Sequence, residues 1–266
     1  MRKMMTVLAG LSLFAGGWSQ APAQQAADDG PMYREIVRFE VAPAHAAAFE
    51  MTMEKIAGAA KLANLSADYG WLFFRDGANF TLVYPVKSMA YFDDPEQWMR
   101  QFSGTPGEAA LREALGEFSK LDYSAQTQIQ KVLPEHSYQP ATPIDNPNYV
   151  MVYMNWVRPG HQEAHAANTA ALMELISEAG WRYAVHAYET VIGDGGLRVY
   201  TVPIDNLATF HGEGSLRTSL TQKELTEKWD TLQGERMKLV RAMDSRDQEF
   251  VPGMSYMPMA EWSGGD

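Results

Sequence analysis

The sequence predicts an α+β protein of two tandem β-α-β-β-α-β units whose antiparallel sheets pack against each other. Three internal matches predict it. Tyr33–His45 (YREIVRFEVAPAH) aligns with Tyr149–His161 (YVMVYMNWVRPGH) at an offset of 116. Tyr84–Phe92 (YPVKSMAYF) aligns with Val202–Phe210 (VPIDNLATF) at 118. Val132–Pro140 (VLPEHSYQP) aligns with Phe250–Pro258 (FVPGMSYMP), again at 118. Matches that keep their order mark a duplicated unit of about a hundred residues.

The first strands are Tyr33–Val41 and Tyr149–Val157. Pro43 and Pro159 follow, and proline suits a first helical turn. Phe49, Met53, Ile56 and Ala60 then recur at helical spacing, as do Leu172, Leu175, Ile176 and Ala179. Gly70-Trp71 and Gly180-Trp181 each open a hairpin, here at an offset of 110. Asp76-Gly77 and Asp194-Gly195-Gly196 supply its turns. The flanks, Trp71–Phe74 with Phe80–Tyr84 and Tyr183–Ile192 with Leu197–Val202, are rich in β-formers. The offset grows by eight across this region, which predicts a longer β-arm around Ala187–Gly196 in the second copy. Helical regions are expected over Pro95–Phe102, Glu108–Leu121 and Ser215–Met243, and each copy closes on a strand ending in Ser-Tyr-x-Pro.

The N-terminus reads as a secretory leader. Arg2 and Lys3 precede an uncharged apolar run from Met4 to Ala15, and Ala21-Pro22-Ala23 offers the cleavage site. The expected division is a leader over 1–23, a flexible stretch over 24–31, a first unit over 32–139, a linker over 140–148, a second unit over 149–258 and a flexible tail over 259–266. The leader places the protein in the periplasm or outside the cell. The chain has no cysteine, which excludes disulfides and thiolate chemistry. Its net charge is −11, and no Lys/Arg cluster stands out. Nucleic acid and anionic membrane surfaces are therefore not expected partners.

The strand and helix order is that of the ferredoxin-like split unit. A strand followed by Val-x-Pro-x-His (Val41–His45) or Val-x-Pro-Gly-His (Val157–His161), and then an amphipathic helix, resembles the opening of domains in the dimeric α/β-barrel superfamily. That superfamily includes NIPSNAP-like proteins, antibiotic-biosynthesis-type monooxygenases and haem-binding chlorite dismutase-like proteins. The resemblance implies two sheets closed into a barrel with a cavity between them, both halves coming from one chain.

Several side chains could carry chemistry. Val37, Phe39 and Val41 suit the helix side of their sheet. By elimination Arg38, Glu40, Met154 and Trp156 would face the inter-sheet cavity. His186 and Tyr188 share a strand face with Arg182 and Ala184. An apolar pocket with a few polar groups is the usual form of a small-molecule site. There His186, Tyr188 and Arg38 could orient a ligand or move a proton. The structural alternatives are an Arg38–Glu40 ion pair and a His186 hydrogen-bonded within the core. His161 and His165 stand four apart in a His-x-Glu-x-His order and are candidate metal ligands, with no third ligand evident. His136 and His211 are the candidates for haem. Ser215–Met243, where the chlorite dismutase resemblance implies the haem ligand, contains no histidine. No stable cofactor is expected.

The leading reading is an exported protein holding a small, largely apolar molecule between its sheets. The second is a cofactor-independent oxygenase or isomerase, as the resemblance implies. The third is a non-catalytic interaction module. Pairing of two chains through the longer arm is a further expectation.

Overall fold

A computed structural model describes residues 32–257 apart from 95 and 145. The expected leader, the stretch to residue 31, the tail from 259 and Pro95 lie outside the described residues. Among the described residues, eight strands close into one antiparallel barrel in the order β1-β3-β2-β8-β5-β7-β6-β4. By packing, the chain divides into two compact units. One comprises the residues up to Thr127 with those from Val251, and the other is Gln128–Phe250.

The first unit contains β1 (Tyr33–Val41), α1 (Ala46–Ala63), β2 (Leu72–Asp76), β3 (Asn79–Val86), α2 (Gln97–Arg100), α3 (Glu108–Phe118) and the start of β4 (Tyr123–Val132). Alternation along β1 puts Val37, Phe39 and Val41 in one core with Phe49, Met53 and Ile56 of α1, the side expected. Asn64, at φ 51°, ends α1 and donates its N–H to the carbonyls of Ala60 and Lys61. Gly77, at φ 61°, turns the chain between β2 and β3.

The second unit contains the rest of β4, then β5 (Tyr149–Val157), α4 (Gln162–Ala179), β6 (His186–Ile192), β7 (Leu197–Ile204), α5 (Leu207–His211), α6 (Leu216–Gln222), α7 (Thr226–Leu239) and β8 (Val240–Phe250). Met151, Val185, Ala187, Tyr200 and Val202 pack with Ile176 of α4 on the helix side of the sheet. The helical region expected over Ser215–Met243 is shorter and broken. Glu224, at φ 58°, separates α6 from α7. Residues 240–243 already belong to β8, where Ala242 and Met243 pair with Trp156 and Asn155 of β5. Ladder pairing overrides the helix propensity of that short stretch.

The duplicated Ser-Tyr segments have a specific place. In the first unit the Ser255 hydroxyl accepts from the Phe73 N–H and donates to the Val251 carbonyl. Tyr256 bridges to Trp71, whose indole donates to the Met254 carbonyl. In the second unit the Ser137 hydroxyl accepts from the Ala187 N–H and donates to Leu133, while Tyr138 bridges to Val185. Each closing segment therefore packs with the hairpin of the other repeat. This moves the packing boundary from the expected 140–148 linker to Thr127/Gln128 and Phe250/Val251. It also corrects the hairpin alignment. Phe73 and Ala187 hold equivalent places at an offset of 114, so half of the eight extra residues precede β6 and do not extend the arm.

Candidate functional site

The two repeats can be compared position by position because their elements match in length. β1 and β5 align at 116, as do α1 and α4; β3 and β7 align at 118, and α3 and α7 start 118 apart. In the first unit Phe39, Phe49, Phe80 and Phe118 meet on the helix side, with Phe73 in ring contact beside them. Phe49 lies 5.2, 4.8 and 5.6 Å, centroid to centroid, from Phe39, Phe80 and Phe118. All four are buried. The same four positions in the second unit are Asn155, His165, Arg198 and Arg236. A buried aromatic quartet is replaced by a polar one, buried at Asn155, His165 and Arg236 and half-buried at Arg198.

Each polar residue is placed by its element. Asn155 on β5 lies opposite Arg198 on β7, which lies opposite Glu189 on β6. Arg198 and Glu189 form an ion pair of 2.8 Å. His165, one turn into α4, is only 1 % exposed. Asn168 and Thr169 follow on the same buried face of α4. Arg236 is the one residue of α7 that is fully buried. Its Nε donates to Asn168 Oδ1 at 3.1 Å and its Nη2 to Thr169 Oγ1 at 2.9 Å. Its guanidinium lies 5.3 Å above the Tyr200 ring. The Thr169 and Tyr200 hydroxyls are 3.0 Å apart, and Asn168 Nδ2 donates to the Leu232 carbonyl.

The electrostatics follow from burial beside positive charge. His165 is pushed down to about 3, by burial first and then by Arg236, Arg198 and His136. Its imidazole is therefore neutral at ordinary pH. Burial raises the Tyr200 phenol, which stays protonated. His165 Nε2 and Asn155 Oδ1 are buried without a hydrogen-bond partner. Buried polar atoms are normally satisfied, so these two orphaned atoms are the feature of the cluster that calls for an explanation. The arrangement offers a neutral imidazole whose proton affinity burial has lowered, a phenol and a guanidinium.

The residues expected from sequence fall elsewhere. Met154, His186 and Tyr188 lie together on the opposite face of the second unit's sheet. Met154 pairs with Val199, which pairs with Tyr188, and His186 is opposite Thr201. Met154 is fully buried, and His186 and Tyr188 are half-buried. Trp156 donates its indole N–H to Asp194 at 2.6 Å. Arg38 and Glu40 lie on β1 opposite Thr81 and Asn79, with Glu40 exposed. The candidate metal pair does not converge: His161 precedes α4 and is exposed, whereas His165 points into the core. His136 is half-buried beside Glu135, and His211 is exposed. Of the new cluster, sequence reasoning singled out only His165. The signal that finds the rest is the polar residue standing where the other repeat has phenylalanine.

The first unit keeps an ionisable group of its own on the helix side. Glu35 is 7 % exposed and faces Tyr84 across the β1–β3 ladder. Burial raises its carboxyl to about 7. The matching position in the second unit is the apolar Met151.

No family model matches the sequence, and no curated protein aligns with it. The fold is nevertheless shared with solved structures. A proposed monooxygenase from Lactobacillus acidophilus superposes with a TM-score of 0.53 at 10% identity, covering 86% of this chain and 97% of that one. One from Fusobacterium nucleatum reaches 0.55 at 9% identity, covering 87% and 100%. An anthrone oxidase-like protein reaches 0.50 at 14% identity, covering 83% and 92%. The fold is that of the dimeric α/β-barrel superfamily, with both repeats in one chain.

Proposed function

We propose that the protein binds a small organic molecule at the polar cluster of its second unit, on the helix side of the sheet. The observation that supports this is the replacement of Phe39, Phe49, Phe80 and Phe118 by Asn155, His165, Arg198 and Arg236 at matching positions. The apolar version packs the first unit well, so the fold does not require the polar one. Burying unpaired polar groups costs on the order of 1–3 kcal/mol each. A cluster kept against that cost serves recognition or chemistry. The fold is one whose neighbours are monooxygenase-like, which is consistent with small-molecule binding. The leader reading makes the protein exported, and its binding is proposed to need no resident cofactor.

The face carrying Met154, His186 and Tyr188 is the site expected from sequence, and one substitution pair separates the two. His165→Ala is expected to weaken binding of a co-purified or screened ligand at least tenfold, with His186→Ala changing it less than twofold. The reverse result would move the site to the opposite face.

A second reading, catalysis by proton abstraction, is favoured by one observation. His165 Nε2 has no protein partner; burial and the nearby cations make it a weak base, so proton abstraction requires a bound anion to raise its affinity for a proton. Under this reading His165→Ala abolishes turnover but leaves ligand affinity within a few-fold. Equal losses in both would leave binding alone.

A further inference from the structure

Arg236 holds its charge in the second unit without a carboxylate partner among the described residues. Nε and Nη2 are engaged by Asn168 and Thr169, both neutral. Nη1 makes no hydrogen bond among the described residues, and no carboxylate there pairs with this guanidinium. The nearest acid of the row, Glu189, is taken by Arg198. Arg236 is nevertheless 7 % exposed. An arginine stays charged in any protein interior. A buried cation without a counter-charge is among the costliest arrangements a core can hold. In the other repeat a phenylalanine at this place avoids it.

We infer that the ligand of this site carries an oxyanion, and that Arg236 receives it through Nη1. The inference rests on the small-molecule reading above and names its chemical class. A carboxylate or phosphate oxygen on Nη1 would supply the missing counter-charge. The two uncommitted neighbours, His165 Nε2 and Asn155 Oδ1, would then meet neutral polar atoms of the same ligand. Tyr200 occupies one face of the guanidinium, so the anion approaches in its plane and makes a single charge-assisted contact at Nη1. The chain as a whole is acidic and repels free anions at long range, so affinity must come from this local contact.

The test uses the full chain labelled at histidine nitrogen, with acetate, its neutral isostere acetamide, and inorganic phosphate at matched ionic strength. Acetate or phosphate is expected to shift the His165 ring signals saturably, with acetamide at least tenfold weaker. Saturation by phosphate alone would make the occupant inorganic, and by acetate an organic acid; either supports the oxyanion. Arg236→Met is expected to abolish the response. Arg236→Lys, which keeps the charge, should retain a weaker one and guards against misfolding of the first variant. Acetamide binding as tightly as acetate would overturn the oxyanion while leaving the site in place. So would neutral fragments that move His165 when neither anion does. If no probe of any charge moves those signals, the site itself is wrong.

Discussion

A single imidazole sets one branch of the protein's pH response, and a single carboxyl sets the other. His165 is ordinarily near 6.5 and is held down to about 3 when folded. As pH falls from 6.5, the unfolded chain takes up a proton there that the folded chain refuses. Stability is therefore lost on acidification between 6.5 and about 3, by roughly 5 kcal/mol at most. His165→Phe, which copies Phe49, is expected to remove that slope and raise the melting temperature at pH 5. An unchanged acid limb in the variant would contradict the burial assigned to this ring. Glu35 acts with the opposite sign. Its folded carboxyl titrates near 7 against an ordinary 4.5, so stability is present below 4.5 and lost as pH rises to 7. Glu35→Gln should be more stable than the parent at pH 8 by about 3 kcal/mol, and indistinguishable at pH 4. Denaturant midpoints at the two pH values measure it. Neither residue could be given this role from sequence. Glu35 stands in a strand whose alternate positions are apolar, and only burial tells a buried acid from an exposed one.

At the scale of elements, the repeated Ser-Tyr-x-Pro is the clearest case of a motif seen in sequence and understood only in three dimensions. It reads as a strand terminator, since proline lacks a ladder donor. The structure gives its serine a hydrogen-bonding task. Ser137 and Ser255 each satisfy an N–H of the hairpin strand and an upstream carbonyl. Ser255→Ala and Ser137→Ala are each expected to cost about 1–2 kcal/mol, because each removes the side-chain partner of a hairpin N–H, that of Phe73 or Ala187. Equal losses would follow from the equivalent geometry; a neutral Ser255→Ala would show that this contact does not hold the segment. The boundaries of β1 and β5 and the presence of α1 and α4 are legible from their apolar periods, although the helices begin at Ala46 and Gln162, beyond the prolines expected to open them. The break at Glu224 and the start of β8 at Val240 are not. Neither place carries an apolar period; the first is a positive-φ break at Glu224, and the second is decided by pairing of Val240 onward with β5.

At the scale of the whole molecule, duplication is the organising fact. The chain has no cysteine, so no disulfide contributes to the stability of the eight-stranded barrel found among the described residues. The melting temperature is expected to be unchanged by reductant. The export proposal is tested at the other end of the chain. Protein recovered from the periplasm or medium should begin at Gln24; a full-length product starting at Met1 would remove the proposal. By itself the sequence determined the repeat, its strand and helix order and the superfamily fold, because offsets and hydrophobic periods are local, additive signals. Only the tertiary structure decided that each closing segment packs with the other repeat's hairpin, and that Asn155, His165, Arg198 and Arg236 meet in one core. Those residues lie far apart along the chain. What joins them is burial on a common face, a property of packing that no short window of sequence contains.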